Sequence, residues 1–319
     1  FDWLGEDRYR AWYDPAAPGV RASHDKAFAA AFAGSALRDV IAVYSPEDLA
    51  EADHAIRDMT QRMAEWREPM RTRFCLKPRF GSSGRGRVAG TDGDADTDVI
   101  RGALARLAAS GGAVLEPWLD RTHDLSVALY LEGGDEPLSL LGSLDSITTP
   151  HGVPVGHCGE IDSRGRIYSH SAFDDDVRAA AAEIATAALA QGFRGPCGVD
   201  AFVYESDGGP ELRPVCEFNA RFTMGIVALG ALRRARADIK AALEMTPGDR
   251  AGFVFAASHR PGWSSARATL EEADPGPHYW APLATTLDID PEHGPGLLAT
   301  RNPDGLRGAA NALRAGGEA

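Results

Sequence analysis

The sequence predicts an α+β chain, and three observations carry that prediction. VDAFVY (Val199–Tyr204) and LRPVCEF (Leu212–Phe218) are apolar, β-rich runs joined by the turn sequence SDGGP (Ser206–Pro210), which makes them an antiparallel pair. Ala113–Pro117, Leu125–Glu132 and Leu138–Ile147 read as strands that follow one another without intervening helices. Helical patterns stand apart from these runs, at Asp98–Ala109 and Asp174–Gln191. The arrangement is therefore antiparallel sheet with helices packed on one side, not a series of βαβ units.

The elements can be justified in order. Residues 1–22 are aromatic and Pro-containing without a clear period, and read as a strap or the remnant of an upstream domain. Asp25–Phe32 reads as a short Ala-rich helix and Asp39–Tyr44 as a strand. Ser45 can cap the next helix, with Pro46 at its first position and Asp48 three residues after the cap; that helix is expected to run to Trp66. RFCLKP (Arg73–Pro78) reads as a buried strand, and a Gly/Ser/Arg-rich loop follows. Residues 148–173, rich in Gly, His and Pro, read as a long, partly irregular connection. Asp174–Gln191 opens on three acids, which suit the positive end of the helix dipole, and is filled with alanine. A helix is expected over Gly225–Leu243, and beyond Thr246 short apolar runs alternate with Pro and Gly. No internal repeat is visible.

Composition excludes several classes. The 319 residues are 44% hydrophobic and 25% charged, which suits a globular protein and not a disordered one. A net charge of −13 argues against nucleic-acid partners, which need a basic stripe. No apolar run approaches the roughly 20 residues that span a bilayer, and no leader marks export, so no membrane partner and a cytoplasmic location are expected. Cys75, Cys158, Cys197 and Cys216 form no CxxC pair and read as free thiols. The chain opens at Phe1 rather than Met, as a fragment or a processed form would. Its 33 basic residues include only three lysines, Lys26, Lys77 and Lys240, so each is conspicuous among arginines.

Three stretches can carry chemistry. Lys77 ends a strand and is followed by Gly81, Ser82, Ser83, Gly84 and Gly86, a loop able to offer backbone N–H groups and a point charge to phosphate oxygens, or equally a plain surface loop. It is neither a Walker A loop nor a Rossmann glycine motif. Asp200 on one strand and Glu217, Asn219 and Arg221 on its partner form a second set. Residues two apart on a strand face one way, and two acids with an amide carbonyl make a hard-oxygen set suited to Mg²⁺. Arg221 can clamp a phosphate. The third stretch is LEPWLD, where Glu116 ends an apolar strand and a Glu with a backbone N–H can read a purine edge, although a solvated Glu at a strand end is the commoner arrangement. Asp124 beyond it can accept from ribose hydroxyls.

In this order, the three stretches resemble the ATP-grasp superfamily. Its pattern is an Asp-Lys, a second Lys before a Ser/Gly-rich lid loop, a hinge Glu-x-x-Leu, a ribose-binding acid and a closing Asp … Glu-x-Asn. The matching residues here are Asp25-Lys26, Lys77 with Gly81–Gly86, Glu116-Pro-Trp-Leu119, Asp124, and Asp200 … Glu217-Phe-Asn219-Ala-Arg221. The likeness covers about residues 23–240. It implies an ATP-grasp fold, two α+β lobes whose antiparallel sheets grip ATP between them. The implied domains are a strap (1–22), an N-lobe with the 79–87 phosphate loop (23–115), a C-lobe with the metal site (116–245) and a C-terminal extension (246–319). Lys26, Lys77, Ser82, Ser83, Gly84, Glu116, Trp118, Leu119 and Asp124 would bind ATP. Asp200, Glu217 and Asn219 would hold Mg²⁺ or Mn²⁺. Arg221, with Lys77, would serve the transferred phosphate. The family's further cation, in the connection before the final helix, has no clear counterpart here, with Arg164 and Arg166 as the candidates.

Other features carry less. DGDADTD (Asp92–Asp98) lacks the Gly and Glu of a calcium loop and reads as a solvated turn whose Asp98 caps the next helix. His151, His157 and His170 read as exposed loop histidines. Lys240 reads as a solvated residue of a charged helix. No His-x-x-x-His pair points to zinc, and Ser82 and Ser83 sit in no nucleophile elbow. The expected activity is an ADP-forming ligase that activates a small carboxylate as an acyl phosphate for attack by an amine or other nucleophile. A kinase of the same fold and a non-catalytic nucleotide-binding module are the rivals. Oligomeric state and substrate identity are not legible in the sequence.

Overall fold

The computed structural model describes residues 19–67, 70–81, 86–91, 94, 97–132, 134, 137–149, 153–256, 262–273, 276–282 and 296–316. They form two compact units. One holds the described residues up to Thr122 together with Glu183–Arg194 and Val199–Ala220. The other holds His123–Ala182, Gly195–Gly198 and the described residues from Arg221 onward.

The first unit opens with helices α1 (Val20–His24) and α2 (Lys26–Ala30). The short helix expected over Asp25–Phe32 is present as α2. Asp25 is extended and caps α2, its carboxylate accepting from Ala27 N–H at 2.9 Å. After α3 (Ser35–Arg38) and β1 (Ala42–Tyr44), Ser45 and Asp48 make the expected capping box. The helix they start is α4 (Pro46–Ala50), and Glu51 is extended before α5 (Ala52–Ala64), so two helices replace the one expected. The break falls among Ala and Glu, good helix formers, so propensity gave no sign of it.

Strands β2 (Arg73–Pro78), β3 (Val88–Thr91) and β4 (Ala113–Pro117) complete a four-stranded sheet of order β1-β4-β2-β3, with every pair antiparallel. β3 follows the Gly/Ser/Arg-rich loop and has no counterpart among the strands expected from the sequence. α6 (Asp98–Ala109) is capped by Thr97, whose hydroxyl accepts from Ile100 N–H, and not by Asp98. A β-branched hydroxyl one residue earlier took the role because Asp98 already has helical geometry. Gly112 turns the chain into β4 at φ 102°, and a Cβ there would lie 2.2 Å from the Tyr44 carbonyl oxygen. This sheet buries Phe74, Leu76 and Leu115 against Leu49, Met59, Leu104 and Trp66.

The second unit is built on antiparallel strands in the order β5 (Arg121–Leu131), β6 (Leu138–Thr148), β7 (Pro154–Asp162), β11 (Arg250–Ala256), β13 (Gly296–Thr300), β12 (His278–Pro282), with β8 (Ile167–Tyr168) paired to β7. The long, partly irregular connection expected over 148–173 contains β7 and β8. Its glycines are there for close packing: a Cβ on Gly156 would lie 2.3 Å from the Phe255 carbonyl oxygen, and one on Gly159 would lie 2.5 Å from that of Tyr168. Glycine read as a loop signal was a strand that admits no side chain. His157 is correspondingly buried in β7 rather than exposed in a loop, and His151 lies outside the described residues. The segment after Thr246 is also no appendage to this unit. It supplies β11, β12 and β13, and helices α9 (Gly262–Ala273) and α10 (Pro303–Ala315). Helix α8 (Met224–Ala242) packs Leu229 and Leu232 with Phe253 and Phe255, while Trp263, Leu306 and Leu313 share a second core with Val254 and Leu298.

Three elements have residues in both units, β5, α7 (Asp174–Ala190) and β9 (Gly195–Ser206), and β10 (Gly209–Asn219) pairs with β9. The SDGGP turn between them is as expected: Gly209 takes φ 103°, and the Ser206 hydroxyl donates to its carbonyl at 2.9 Å. Among the described residues, no helix is long and apolar enough to cross a membrane.

Candidate active site

Within the first unit, β2, β4 and β10 bring charges into a largely apolar setting. The β2–β4 register sets Cys75 opposite Glu116 and Lys77 opposite Val114. Glu116 is 4% exposed, and both its oxygens are engaged. Lys77 forms an ion pair with Oε1. Arg213, itself 2% exposed, donates from Nη2 to Oε2 at 2.7 Å. Burial alone would push the Glu116 carboxyl up, but Arg213 and then Lys77 outweigh it and hold it down at about 2. Burial works against the Lys77 ammonium as well, yet its anionic neighbours, Glu116 among them, leave it raised. The Cys216 sulfur lies 3.9 Å from Lys77 Nζ. Burial pushes the Cys75 thiol up to about 11.

The second lysine is held a short distance along the same unit. Phe28 of α2 meets Phe218 of β10 edge to face at 5.9 Å between ring centres, and Phe193 packs on the other side of Phe218. This aromatic contact seats α2 against β10 and brings Lys26 to Glu217. Lys26 Nζ lies 3.2 Å from Glu217 Oε1 and donates to the Gly81 carbonyl at 2.7 Å. Arg79 ties the start of α2 to the end of β2: its guanidinium pairs with Asp25 and its carbonyl accepts from Lys26 N–H at 3.0 Å. Thus Asp25-Lys26 and the loop after Lys77, 55 residues apart, are joined by named bonds.

Asp200 on β9 and Asn219 on β10 are also together, with Asn219 Nδ2 donating to Asp200 Oδ2 at 2.8 Å. That separation fits two ligands of one hard cation once the amide presents its oxygen in place of its nitrogen. Glu217, two residues before Asn219, has a side chain 30% exposed and so able to meet a ligand from solvent.

The hinge stretch is also positioned. Leu119 is buried in the core of the first unit. Trp118 is half-buried, its N–H donates to the Arg73 carbonyl at 2.9 Å, and Arg87 sits over its ring at 5.1 Å. Ser82, Ser83 and Gly84 lie outside the described residues. Asp124 and Arg221 belong to the second unit, where Asp124 Oδ2 accepts from Thr148 Oγ1 at 2.9 Å. There Arg166 is bound to Asp162 Oδ2 at 2.7 Å, and the Arg164 carbonyl accepts from Arg236.

Sequence reasoning missed Arg213 and Arg79. Arg213 is separated from Glu116 by 97 residues, and an Arg in a strand of an Arg-rich chain carries no local signal. Its burial was the missing information.

No protein-family model matches the sequence, and no curated protein does. Similarity appears among solved structures. N5-carboxyaminoimidazole synthetase from Staphylococcus aureus, complexed with ADP, is 12% identical, with 93% of this chain and 73% of that chain covered and a TM-score of 0.52. The biotin carboxylase domain of Hydrogenobacter thermophilus 2-oxoglutarate carboxylase, a complex with MgADP, ADP and bicarbonate, is 13% identical over 89% of this chain and 63% of that one, with a TM-score of 0.50. D-cycloserine synthetase DcsG is 24% identical over 68% and 70%, with a TM-score of 0.45. At 12% and 13% identity, the first two likenesses are of fold.

Proposed function

The chain has the ATP-grasp fold, and from that premise we propose that it is an ATP- and Mg²⁺-dependent, ADP-forming ligase acting on a small carboxylate and an amine or other nucleophile. The observation that carries this reading is Lys26 Nζ, within 2.7 Å of the Gly81 carbonyl in the lid loop and 3.2 Å of Glu217 in the closing acid motif. Three motifs far apart in the sequence meet on one ammonium group. A bare nucleotide-binding module has no need of acids and an amide gathered at a phosphate-binding lysine.

In the proposed reaction a carboxylate oxygen attacks the γ-phosphorus of ATP and the bond to the β–γ bridging oxygen breaks. ADP leaves, and an amine then displaces phosphate from the acyl carbon with loss of one proton. Bound Mg²⁺ would supply charge neutralisation at the phosphates, with Asp200, Glu217 and Asn219 as its ligands. Lys26 and Lys77 bind phosphate oxygens, a task that suits a compact ammonium better than a planar guanidinium. When Lys77 turns to phosphate, Arg213 keeps Glu116 ionised, so that Glu116 can accept from the adenine amine. Trp118 and Leu119 border the base, Leu119 through its backbone because its side chain is buried. The lid residues Ser82, Ser83 and Gly84 cover the phosphates and exclude water. The order of motifs in the sequence assigns the ribose to Asp124 and the transferred phosphoryl group to Arg221.

The experiment is ADP release over panels of amino acids and small carboxylic acids. Lys77→Ala and Glu217→Ala should each lower it by about a hundredfold or more, the scale for loss of one electrostatic stabiliser. Undiminished turnover in either variant overturns the site. Trapping with hydroxylamine tests the finer statement: an acyl phosphate yields a hydroxamate, whereas the phosphate ester of a kinase does not.

A further inference from the structure

The second unit contains a buried carboxylate surrounded by softer chemistry. Asp145 of β6 is 4% exposed. Its Oδ1 meets His123 Nε2 at 2.7 Å, and its Oδ2 meets His170 Nδ1 at 2.6 Å. The backbone N–H of His170 donates to Oδ2 at 3.0 Å, and the Cys158 sulfur lies 3.9 Å from the same oxygen. One carboxylate oxygen, the sulfur and one imidazole nitrogen of Asp145, Cys158 and His170 all lie within 4.8 Å of one another.

Strand register assembles this group. β6–β7 pairing sets Asp145 directly opposite Cys158, and β5–β6 pairing sets it opposite Leu125. His123 precedes Leu125 by two and so shares that face. His170 follows β8, which pairs with β7. Asp124 is registered with Ser146 and therefore stands on the other face. None of these residues belongs to the Asp200, Glu217 and Asn219 set, which lies in the other unit.

We propose that Asp145, Cys158 and His170 form a site for zinc or another thiophilic divalent transition-metal ion, with His123 orienting the carboxylate from its second oxygen. Ligand bonds of about 2.0–2.3 Å in a tetrahedral site hold ligand atoms roughly 3.3–3.6 Å apart. The two separations observed from Asp145 Oδ2, 2.6 Å to nitrogen and 3.9 Å to sulfur, lie on either side of that range, and the third, between His170 and Cys158, is within 4.8 Å, so side-chain shifts on the order of an ångström would form it. A thiolate, a carboxylate and a neutral imidazole balance the charge of a divalent ion, which the buried carboxylate favours. Binding releases the thiol proton to solvent, and any proton on His170 with it. Burial, and after it the Asp145 charge, push the Cys158 thiol up, so this sulfur stays protonated until a metal displaces the proton. Sulfur and nitrogen donors select against Mg²⁺, which prefers an all-oxygen shell. The His170 and His123 side chains, 31% and 37% exposed, offer the ion a way in and leave a fourth position to water. Carboxylate–histidine pairing of this kind commonly orients metal ligands.

The test uses the full chain, stripped with chelator and titrated with Co²⁺ and then Zn²⁺ without nucleotide or Mg²⁺. Expected are one ion bound per chain, the visible absorption of tetrahedral cobalt, a thiolate-to-cobalt charge-transfer band, and displacement of both by Zn²⁺. Cys158→Ser should abolish the charge-transfer band, and His170→Gln, at a partly exposed position, should weaken binding at least tenfold while the folded chain retains its circular dichroism. His123→Gln should weaken it about tenfold and leave the band in place. Absence of the band in the unaltered chain overturns the proposal. So does a band that survives Cys158→Ser, which would locate the thiolate at Cys75, Cys197 or Cys216. Loss of binding on Asp200→Ala with none on His170→Gln would overturn it as well. These readouts require no turnover, so they stand or fall apart from the ligase reading.

Discussion

Glu116 in the first unit and Asp145 in the second are both nearly inaccessible carboxylates held below their ordinary pKa against the pull of burial, but by different partners. Glu116 is paired with Lys77 and Arg213, cations that keep their charge throughout the physiological range. Asp145 is pushed up by burial and held down by hydrogen bonds from the His123 and His170 rings. The first arrangement is a fixed electrostatic fitting, suited to staying ionised while a partner leaves for a phosphate. The second has ligands that can be exchanged for a metal. Burial alone does not predict function; the identity of the counter-charges does.

The largest effect should come from removing a fixed cation. Arg213→Leu leaves a buried carboxylate with one partner and should destabilise the chain by about 3–5 kcal/mol, read from urea unfolding at pH 7. A loss under about 1 kcal/mol would show that Lys77 alone suffices. The next effect lies in acid. The folded pKa of Glu116, about 2, is below the ordinary 4.5, so its contribution is present above about pH 4.5 and lost as pH falls through 2. The difference corresponds to a contribution on the order of 3 kcal/mol. Comparing unfolding of the unaltered chain and Glu116→Gln at pH 7 and pH 3 should reveal it as a narrowing gap between the two. A gap independent of pH would mean that Glu116 titrates normally. The smallest effect belongs to the second unit. Asp145→Asn should cost about 1–3 kcal/mol at pH 8, the scale for a buried group left mismatched with its hydrogen-bond partners His123 and His170. A cost equal to that of Arg213→Leu would erase the distinction between the two carboxylates.

What could be read before folding divides along the same line. Lys26, Lys77, Glu116, Asp200, Glu217 and Asn219 were legible because short patterns mark them: a rare lysine beside Asp, a lysine before a glycine loop, acids closing apolar strands. That the first unit joins Lys26 to Glu217 required the Phe28–Phe218 contact, which no local pattern announces. The Asp145 group was illegible because its members come from four different segments at residues 123, 145, 158 and 170, and only strand register brings them together. The segment 148–173 misled for a related reason. Gly156 and Gly159 read as turn residues, whereas neighbouring carbonyls of β11 and β8 demand them.

By itself the sequence determined the α+β class, the antiparallel β9–β10 pair with its glycine turn, the capping box at Ser45, and which residue types were available for phosphate and cation chemistry. These depend on near neighbours, through turn geometry, capping and alternation. Tertiary structure alone decided that Arg213 guards Glu116, that β7 and the strands after Thr246 build the second unit, and that Asp145 gathers two histidines and a cysteine. Those outcomes depend on burial and long-range register, where the energy of a charge is set by groups a hundred residues away in sequence.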